Sequence, residues 1–475
     1  MVRRGIWFKT LTLILVEAGI AFSVVVLGLS LRFPKYFDSI LFEQRGIYKI
    51  ALTTIVCQFI FYLFDLYDVS KPRLRRELLT DLFQAVGVVI AVLGLIFMLR
   101  PTMLLGYLEE AGDGNLVRYG NGVPVMAMML ALAMMICWRL GIHWVMRHPR
   151  LGERILIVGT DTLATEVARE AMLRRDLGYK VVGFVSEDPK LVGESLLNPK
   201  VLGVVGDLNR IVIEEKIDRV VIALQDRRGH MPVDQLLKIR LQGSAAIEEG
   251  TALYEKLTGK LSVEMLRPSW IIFSGGGKRS TVWGIARRLF NTVMAAFGLV
   301  LSLPVALLAA FAIKLDSSGP VFYTQERVGK NGRVFRIIKF RSMRQDAEKD
   351  GTAQWAIARD PRVTRIGNFM RKTRIDEIPQ FINILRGEMS FVGPRAERPV
   401  FVEQLTEQIP FYSQRHLVEP GLTGWAQVNY GYGASVEDAM QKLQYDLYYI
   451  KNVSLLFDIW IMFKTIKIVL FGYGR

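Results

Sequence analysis

The sequence predicts three parts in series. They are an N-terminal four-helix transmembrane bundle, a central Rossmann-like α/β domain, and a basic C-terminal domain with a re-entrant membrane helix and interfacial helices. Three observations carry that prediction. Four apolar runs, near 7–31, 47–67, 82–99 and 123–147, are each long enough as a helix to cross ~30 Å of hydrocarbon. From residue 152 the pattern changes to short buried strands alternating with amphipathic helices. A fifth apolar run carries no charge between Arg288 and Lys314, but has Pro304 in its middle and basic residues on both sides. The parts are read as 1–151, 152–277 and 278–475.

The composition agrees. The chain has 475 residues, 51% of them hydrophobic, with a net charge of +16. Its mean hydropathy is +0.26. A chain this apolar must bury its surface, which excludes disorder, and the hydropathy argues against an ordinary soluble enzyme. Two cysteines, Cys57 and Cys137, both in apolar runs, exclude a disulfide scaffold and a cysteine zinc cluster. The four histidines have no paired-ligand spacing. By part, the net charge is +6, −1 and +11. Most of the excess therefore lies in the C-terminal domain, where anionic partners beside lipid are expected.

In the first part, the run after Arg3 and Arg4 exceeds a signal-peptide core and reads as an uncleaved anchor. Lys71, Arg73, Arg75 and Arg76 follow the second run, and Arg147, Arg150 and Arg154 follow the fourth. Positive-inside bias puts both ends of the bundle in the cytoplasm. Glu17, inside the first run, is read either as a functional carboxylate or as a neutral or helix-paired one.

The second part opens with the strand Arg154-Ile-Leu-Ile-Val-Gly159, a helix over 162–175, and the strand Lys180-Val-Val-Gly-Phe-Val185. Asp218-Arg-Val-Val-Ile-Ala-Leu224 follows as another buried strand. The first turn, Gly159-Thr-Asp-Thr-Leu-Ala164, meets one of the three glycine positions of a dinucleotide fingerprint. A docking, dimerisation or regulatory domain is the favoured reading, with nucleotide binding the alternative.

In the third part, proline and flanking charge together suggest a helix that dips into the membrane, breaks at Ser302 and Pro304, and returns. A kinked spanning helix is the alternative. The stretch 453–470, interrupted by Asp458, Lys464 and Lys467, reads as an interfacial helix. Trp425, Gln427 and Asn429 follow Gly421 and Gly424 and read equally as a packed turn or a ligand-facing loop.

Asp376-Glu377 is an adjacent carboxylate pair followed by Pro379 and an apolar helical pattern to Gly387. Those boundaries predict a helix with Asp376 at or near its N-cap, a place that keeps a carboxylate ionised and draws a phosphate close. Arg341, Arg362, Arg365, Arg371, Arg374 and Arg395, with Lys339, are candidates for neutralising phosphate charge. Gly393-Pro394-Arg395 reads as a rigid turn that presents one guanidinium.

Here the chain resembles the bacterial sugar transferases, the monotopic phosphoglycosyl transferases. The matching strings run in order over roughly 285–475. They are Lys314-Leu-Asp-Ser-Ser-Gly-Pro-Val-Phe-Tyr323, Gln325-Glu-Arg-Val-Gly329, Lys339-Phe-Arg-Ser-Met343, Asp360-Pro-Arg-Val-Thr-Arg-Ile-Gly367, Arg374-Ile-Asp-Glu-Ile-Pro-Gln380, Met389-Ser-Phe-Val-Gly-Pro-Arg395 and Pro420-Gly-Leu-Thr-Gly-Trp-Ala-Gln-Val428. The four-helix unit and α/β domain resemble the large exopolysaccharide-type members.

The resemblance implies transfer of a sugar 1-phosphate, glucose or another hexose favoured over an N-acetylhexosamine, from a UDP-sugar to undecaprenyl phosphate. It implies that Asp376 attacks phosphorus to form a covalent phosphosugar intermediate with release of UMP. It also implies that Glu377 assists the acceptor and holds Mg²⁺ with Asp376, and that Gln380 and Pro394 line the site. A homodimer in the bacterial inner membrane, catalytic domain in the cytoplasm, is implied as well, initiating exopolysaccharide, O-antigen or capsule synthesis. The chain departs from the family at Ala396, where a second proline is common, and at Asn291, where an acidic residue is common. A non-catalytic membrane sensor would need a complete glycine fingerprint near 159–164, and no motif supports nucleic acid as a partner.

Overall fold

The computed structural model describes residues 3–32, 37–38, 41–42, 45–64, 66–67, 75–99, 107–109, 116–118, 130, 133–141, 152–174, 178–224, 231–263, 281–344, 361–431, 433 and 435–471. The chain divides into two units, Met1–Thr258 and Gly259–Arg475. The expected boundary near 277, most of the fourth apolar run and most of the charged loops around 68–81 and 100–122 lie outside the described residues.

In the first unit, helices α1 (Arg3–Arg32), α2 (Gly46–Leu63) and α3 (Arg75–Leu99) form where the first three apolar runs were read. Gly46–Leu63 and Leu79–Ile96 are long and apolar enough to cross a membrane, as is Val282–Asp316 in the second unit. Cys57, Phe61, Leu82, Val89 and Met135 share one apolar core, so the helical stretch 133–141 joins α2 and α3 there. Glu17 is fully buried. Its carboxylate receives Arg139 Nε at 2.6 Å and Tyr67 Oη at 2.5 Å. A carboxylate in so apolar a setting persists only when paired, and the helix-paired reading is the one observed. Within 100–122, read as loop, Tyr107–Glu109 (β1) and Leu116–Arg118 (β2) pair as an antiparallel hairpin.

The same unit contains a five-stranded, wholly parallel sheet in the order β5-β4-β3-β6-β7. Its strands are Val201–Val204, Tyr179–Ser186, Glu153–Val158, Arg219–Ile222 and Ala246–Glu249, paired through β3 and β6 at the centre. Ile155 to Val158 are fully buried, as expected for a strand covered on both faces. The lone fingerprint glycine has a structural reason. Gly159 has φ +121°, and a Cβ there would meet Ala223 O at 2.5 Å. Close approach of the neighbouring strand requires this glycine with no ligand present.

The helices that alternate with these strands are α4 (Thr162–Leu173), α5 (Leu208–Glu214), α6 (Val233–Gln242) and α7 (Gly250–Thr258), all in the first unit. The long helix α8 (Thr281–Asp316) runs for 36 residues with Pro304 inside. The expected break is therefore not a break in the helix. Proline removes one main-chain donor, and Ser302 Oγ donates to Leu299 O at 3.3 Å in that turn. One stripe of α8, Arg287, Asn291, Ala295, Ala309 and Ile313, is buried. The other face leaves Val293, Phe297, Leu301, Leu308 and Phe311 exposed.

Behind α8 come an antiparallel hairpin, β8 (Phe322–Val328) and β9 (Val334–Phe340), and helices α9 (Arg365–Thr373) and α10 (Gln380–Arg386). A short parallel pair follows, β10 (Ser390–Val392) and β11 (Gly421–Thr423). Then come α11 (Pro399–Gln408), α12 (Trp425–Asn429), α13 (Val436–Asn452) and α14 (Leu455–Phe471). Val392, Leu443, Tyr449 and Trp425 centre the core. Arg287 holds it together. Its Nε donates to Asp458 Oδ2 at 2.9 Å, and its other nitrogens reach Glu419, Ser390 Oγ, Val392 O and Tyr449 Oη. Asp458 is thus no surface interruption of an apolar helix, because it is 3% exposed and neutralised from α8. Asn291, where an acidic residue was noted as common, accepts from Phe391 N at 3.1 Å and ties α8 to β10.

Candidate active site

Asp376 and Glu377 owe their position to a sharp reversal. Thr364 caps α9, its Oγ accepting from Gly367 N at 3.0 Å. The helix ends at Thr373, and Arg374 takes the left-handed conformation with φ 59°. That bend is costly for a residue with a Cβ and is held by the helices on either side. A single 3-10 turn, Ile375–Glu377, follows, and α10 begins after Pro379 and ends at Gly387. Helix and boundary residues are as read. Asp376 is near the start of α10 and not at its N-cap, which is Pro379; it lies in the 3-10 turn that leads into the helix.

The turn buries both carboxylates, at 6% and 8% exposure. Three cations converge on one oxygen. Glu377 Oε1 lies 3.0 Å from Lys339 Nζ, 3.6 Å from Arg374 Nη1 and 3.8 Å from Arg395 Nη1. Burial raises the Glu377 carboxyl, but Lys339, Arg395 and Arg374 outweigh it and bring it down to about 2. The adjacent Asp376 goes the other way. Burial, then the Glu377 charge, raises it, against the pull of Lys339, Arg371 and Arg374. It is therefore not the strongly ionised carboxylate that an N-cap would have made. Asp376 Oδ1 is buried with no hydrogen-bond partner.

Lys339 is delivered by β9, and α10 fixes that strand. Asn383 accepts from Ile338 N at 3.0 Å and donates to Arg336 O at 2.8 Å. Arg395 is delivered by the turn after β10. A Cβ on Gly393 would stand 2.3 Å from Glu419 O and 2.8 Å from Gly421 N, so β10 and β11 approach too closely for any other residue. Between these elements lies a cleft. Arg327, Lys339, Glu377, Gln380 and Arg395 form its polar wall, and Ile337, Met389 and Leu422 its apolar one.

Of the predicted residues, Glu377, Lys339, Gln380 and Arg395 meet at this cleft, Arg374 pairs with Glu377 beside it, and Arg371 acts on Asp376. Pro394 stands in the Arg395 turn, its carbonyl accepting from Gly421 N. Arg341 is directed to Ser317 at the end of α8. Arg365 opens α9, and the Arg362 carbonyl accepts from Arg344 N. Trp425 is 6% exposed, packed edge-on or tilted against Tyr445, Tyr448 and Phe457, and donates to Gly259 O. Packing, not ligand contact, accounts for it. Asn429 likewise donates to Trp425 O.

Two residues were missed. Arg327 donates to Ala396 O at 3.1 Å and holds the Arg395 segment from the cleft wall. Its signal was its place in the Gln325–Gly329 string. Asn383 had no signal, being one polar residue in a seven-residue helix.

A metal among these groups would find two carboxylates. No cluster of three or more ligating side chains occurs among the described residues. Magnesium is commonly held by one or two carboxylates with substrate phosphate and water completing the shell, and the unpartnered Asp376 Oδ1 fits that pattern.

Residues 282–472 match the family described as bacterial sugar transferase, and residues 62–239 match one described as a CoA-binding domain. A UDP-N-acetylgalactosamine-undecaprenyl-phosphate N-acetylgalactosaminephosphotransferase of Aeromonas hydrophila is 47% identical over 220 residues, 46% of this chain and 51% of that protein. A UDP-glucose:undecaprenyl-phosphate glucose-1-phosphate transferase of Escherichia coli (strain K12) is 35% identical over 343 residues, 70% of each chain. The exopolysaccharide production protein PSS of Rhizobium leguminosarum bv. phaseoli is 40% identical over 191 residues, 38% of this chain and 94% of that protein. The chain thus spans about half the length of the first of these relatives and 70% of the second.

Proposed function

The chain belongs to the bacterial sugar transferase family, and on that premise we propose that it moves a sugar 1-phosphate from a UDP-sugar to undecaprenyl phosphate. The observation that carries this reading is the convergence of Lys339, Arg374 and Arg395 on Glu377, one residue from buried Asp376. A nucleophilic carboxylate beside preassembled positive charge is what transfer at a diphosphate requires.

An Asp376 oxygen attacks the phosphorus that bears the sugar. The new O–P bond forms as the bond to the bridging oxygen breaks, and UMP leaves with that electron pair. An oxygen of the acceptor phosphate then attacks the same phosphorus, and the carboxylate of Asp376 is regenerated. Lys339, Arg374 and Arg395 neutralise the phosphate oxygens, and Arg371 favours the ionised form of Asp376. Asp376 and Glu377 would hold Mg²⁺, which when bound neutralises charge on the diphosphate.

Glucose is the favoured sugar, since a relative matched over 70% of this chain is named for it. An N-acetylhexosamine is the second reading, favoured by the 47% identity of the Aeromonas protein. The product starts an exopolysaccharide or similar glycan.

The enzyme sits in the bacterial inner membrane, its second unit on the cytoplasmic face, as a homodimer whose α/β domain serves dimerisation or regulation. A four-helix bundle anchors it. Helix α8 is itself long and apolar enough to cross a membrane, and we read it instead as bent at Pro304 with both ends on the cytoplasmic side. Both of its halves contribute to the buried stripe against the second unit, which supports that reading, because a spanning helix needs ~30 Å free of the protein body.

Asp376→Asn is expected to abolish UMP release from a UDP-sugar panel while the protein still purifies folded. Full activity in that variant overturns the nucleophile assignment.

A further inference from the structure

We propose that Arg341 is the subsite for the acceptor's phosphate, a phosphate monoester on an apolar chain, separate from the cations that handle the donor diphosphate. The proposal rests on the transferase reading above. Arg341 is 6% exposed. One guanidinium nitrogen donates to Ser317 O at 2.8 Å and Ser317 Oγ at 3.0 Å, while Nε and Nη1 have no hydrogen-bond partner. No carboxylate pairs with it among the described residues. A buried cation left with open donors is unfavourable unless an anion completes it. Guanidinium and phosphate are matched for that purpose.

Its position selects which phosphate. The hairpin register that pairs Phe322 with Phe340 continues, with Arg341 N donating to Val321 O at 2.9 Å. Lys339 and Arg341 therefore share a strand face, roughly 7 Å apart along the chain. Lys339 is a wall of the donor cleft, and Arg341 is not. Arg341 is the next rung, at the end of the membrane helix, where Ala309 and Ile313 pack with Phe340 and Met370. On the other face of that helix end, Leu308, Phe311 and Leu315 are exposed. A lipid chain laid along them brings its phosphate to Arg341 and then to the carboxylate pair. The donor, soluble and diphosphate-bearing, has the Arg395 side.

The test separates the two half-reactions in the full-length protein in nanodiscs. UMP release with donor alone reports the first half and also reports that the site has folded. Turnover against undecaprenyl phosphate concentration reports the second. For Arg341→Gln the UMP burst is retained while the acceptor KM rises about tenfold or more, and Arg341→Lys recovers part of the loss. Loss of the burst in a folded variant, or an unchanged acceptor KM, overturns the proposal. Inorganic phosphate should compete with the acceptor in the wild type and lose that effect in the Gln variant, whereas phosphate inhibition that does not compete with the acceptor overturns the proposal by assigning the subsite to free phosphate. A wild type that releases no UMP from any UDP-sugar refutes instead the functional reading on which the proposal stands.

Discussion

Replacing Arg287 by methionine removes the guanidinium that pairs with buried Asp458. In the native structure Arg287 Nε lies 2.9 Å from Asp458 Oδ2, and both residues are at most 6% exposed. Asp458 keeps the hydrogen bond that Tyr449 Oη donates to its Oδ1 at 2.7 Å. Glu419 suffers less, because Lys330 still holds it at 2.7 Å. The loss is therefore dominated by one buried carboxylate without its cation, which costs ~3–5 kcal/mol. For a unit of this size that is a fall in Tm of roughly 6–20 °C. Thermal inactivation of UMP release in detergent reads the second unit specifically. Asp458→Asn should cost less on its own, and combined with Arg287→Met it should restore part of the loss, the two coupling by ~1–3 kcal/mol. A shift below ~1 kcal/mol for Arg287→Met, or strict additivity in the pair, would refute the claim that this network holds α8 to the catalytic core.

Two further outcomes are expected. Protonated Asp376 cannot attack phosphorus, so the donor half-reaction should gain rate as pH rises through its pKa. Because burial and Glu377 raise that pKa, the acid limb should lie above the ordinary aspartate range, and Lys339→Met should move it higher still. A limb at or below the ordinary range in stopped-flow UMP release contradicts the assigned environment. Cysteines placed at Gly284 and Ser318, both exposed, should both be labelled from the cytoplasmic side of sealed vesicles. Labelling from opposite sides leaves only a spanning α8.

The parts most legible in the sequence were those whose signal is local. Apolar runs long enough to span became α1 to α3, and the strand–turn–helix alternation became a parallel sheet. Pro379 and Gly387 bracketed α10 as read. Charge segregation pointed at the C-terminal domain, and Glu377, Lys339, Gln380 and Arg395 do meet there. Where the reading slipped, the deciding contact was distant. Asp376 sits in a 3-10 turn because Arg374 reverses the chain, which nothing in the helix pattern announced. Trp425, next to two motif glycines, could equally have faced a ligand until Tyr445, Tyr448 and Phe457 closed around it.

By itself, the sequence determined which segments are apolar enough to meet lipid, which alternate as strand and helix, and which carry the candidate phosphate-binding residues. Those are properties of composition and period, and they survive without knowing any partner. Only the tertiary structure decided what each charge does. Asp458 read as a break in an apolar helix until Arg287, 171 residues away, neutralised it. Arg341 read as one of several candidate cations for phosphate until burial left two of its nitrogens without an acceptor. A charge takes its meaning from desolvation and from what faces it, and both are set by segments far apart in the chain.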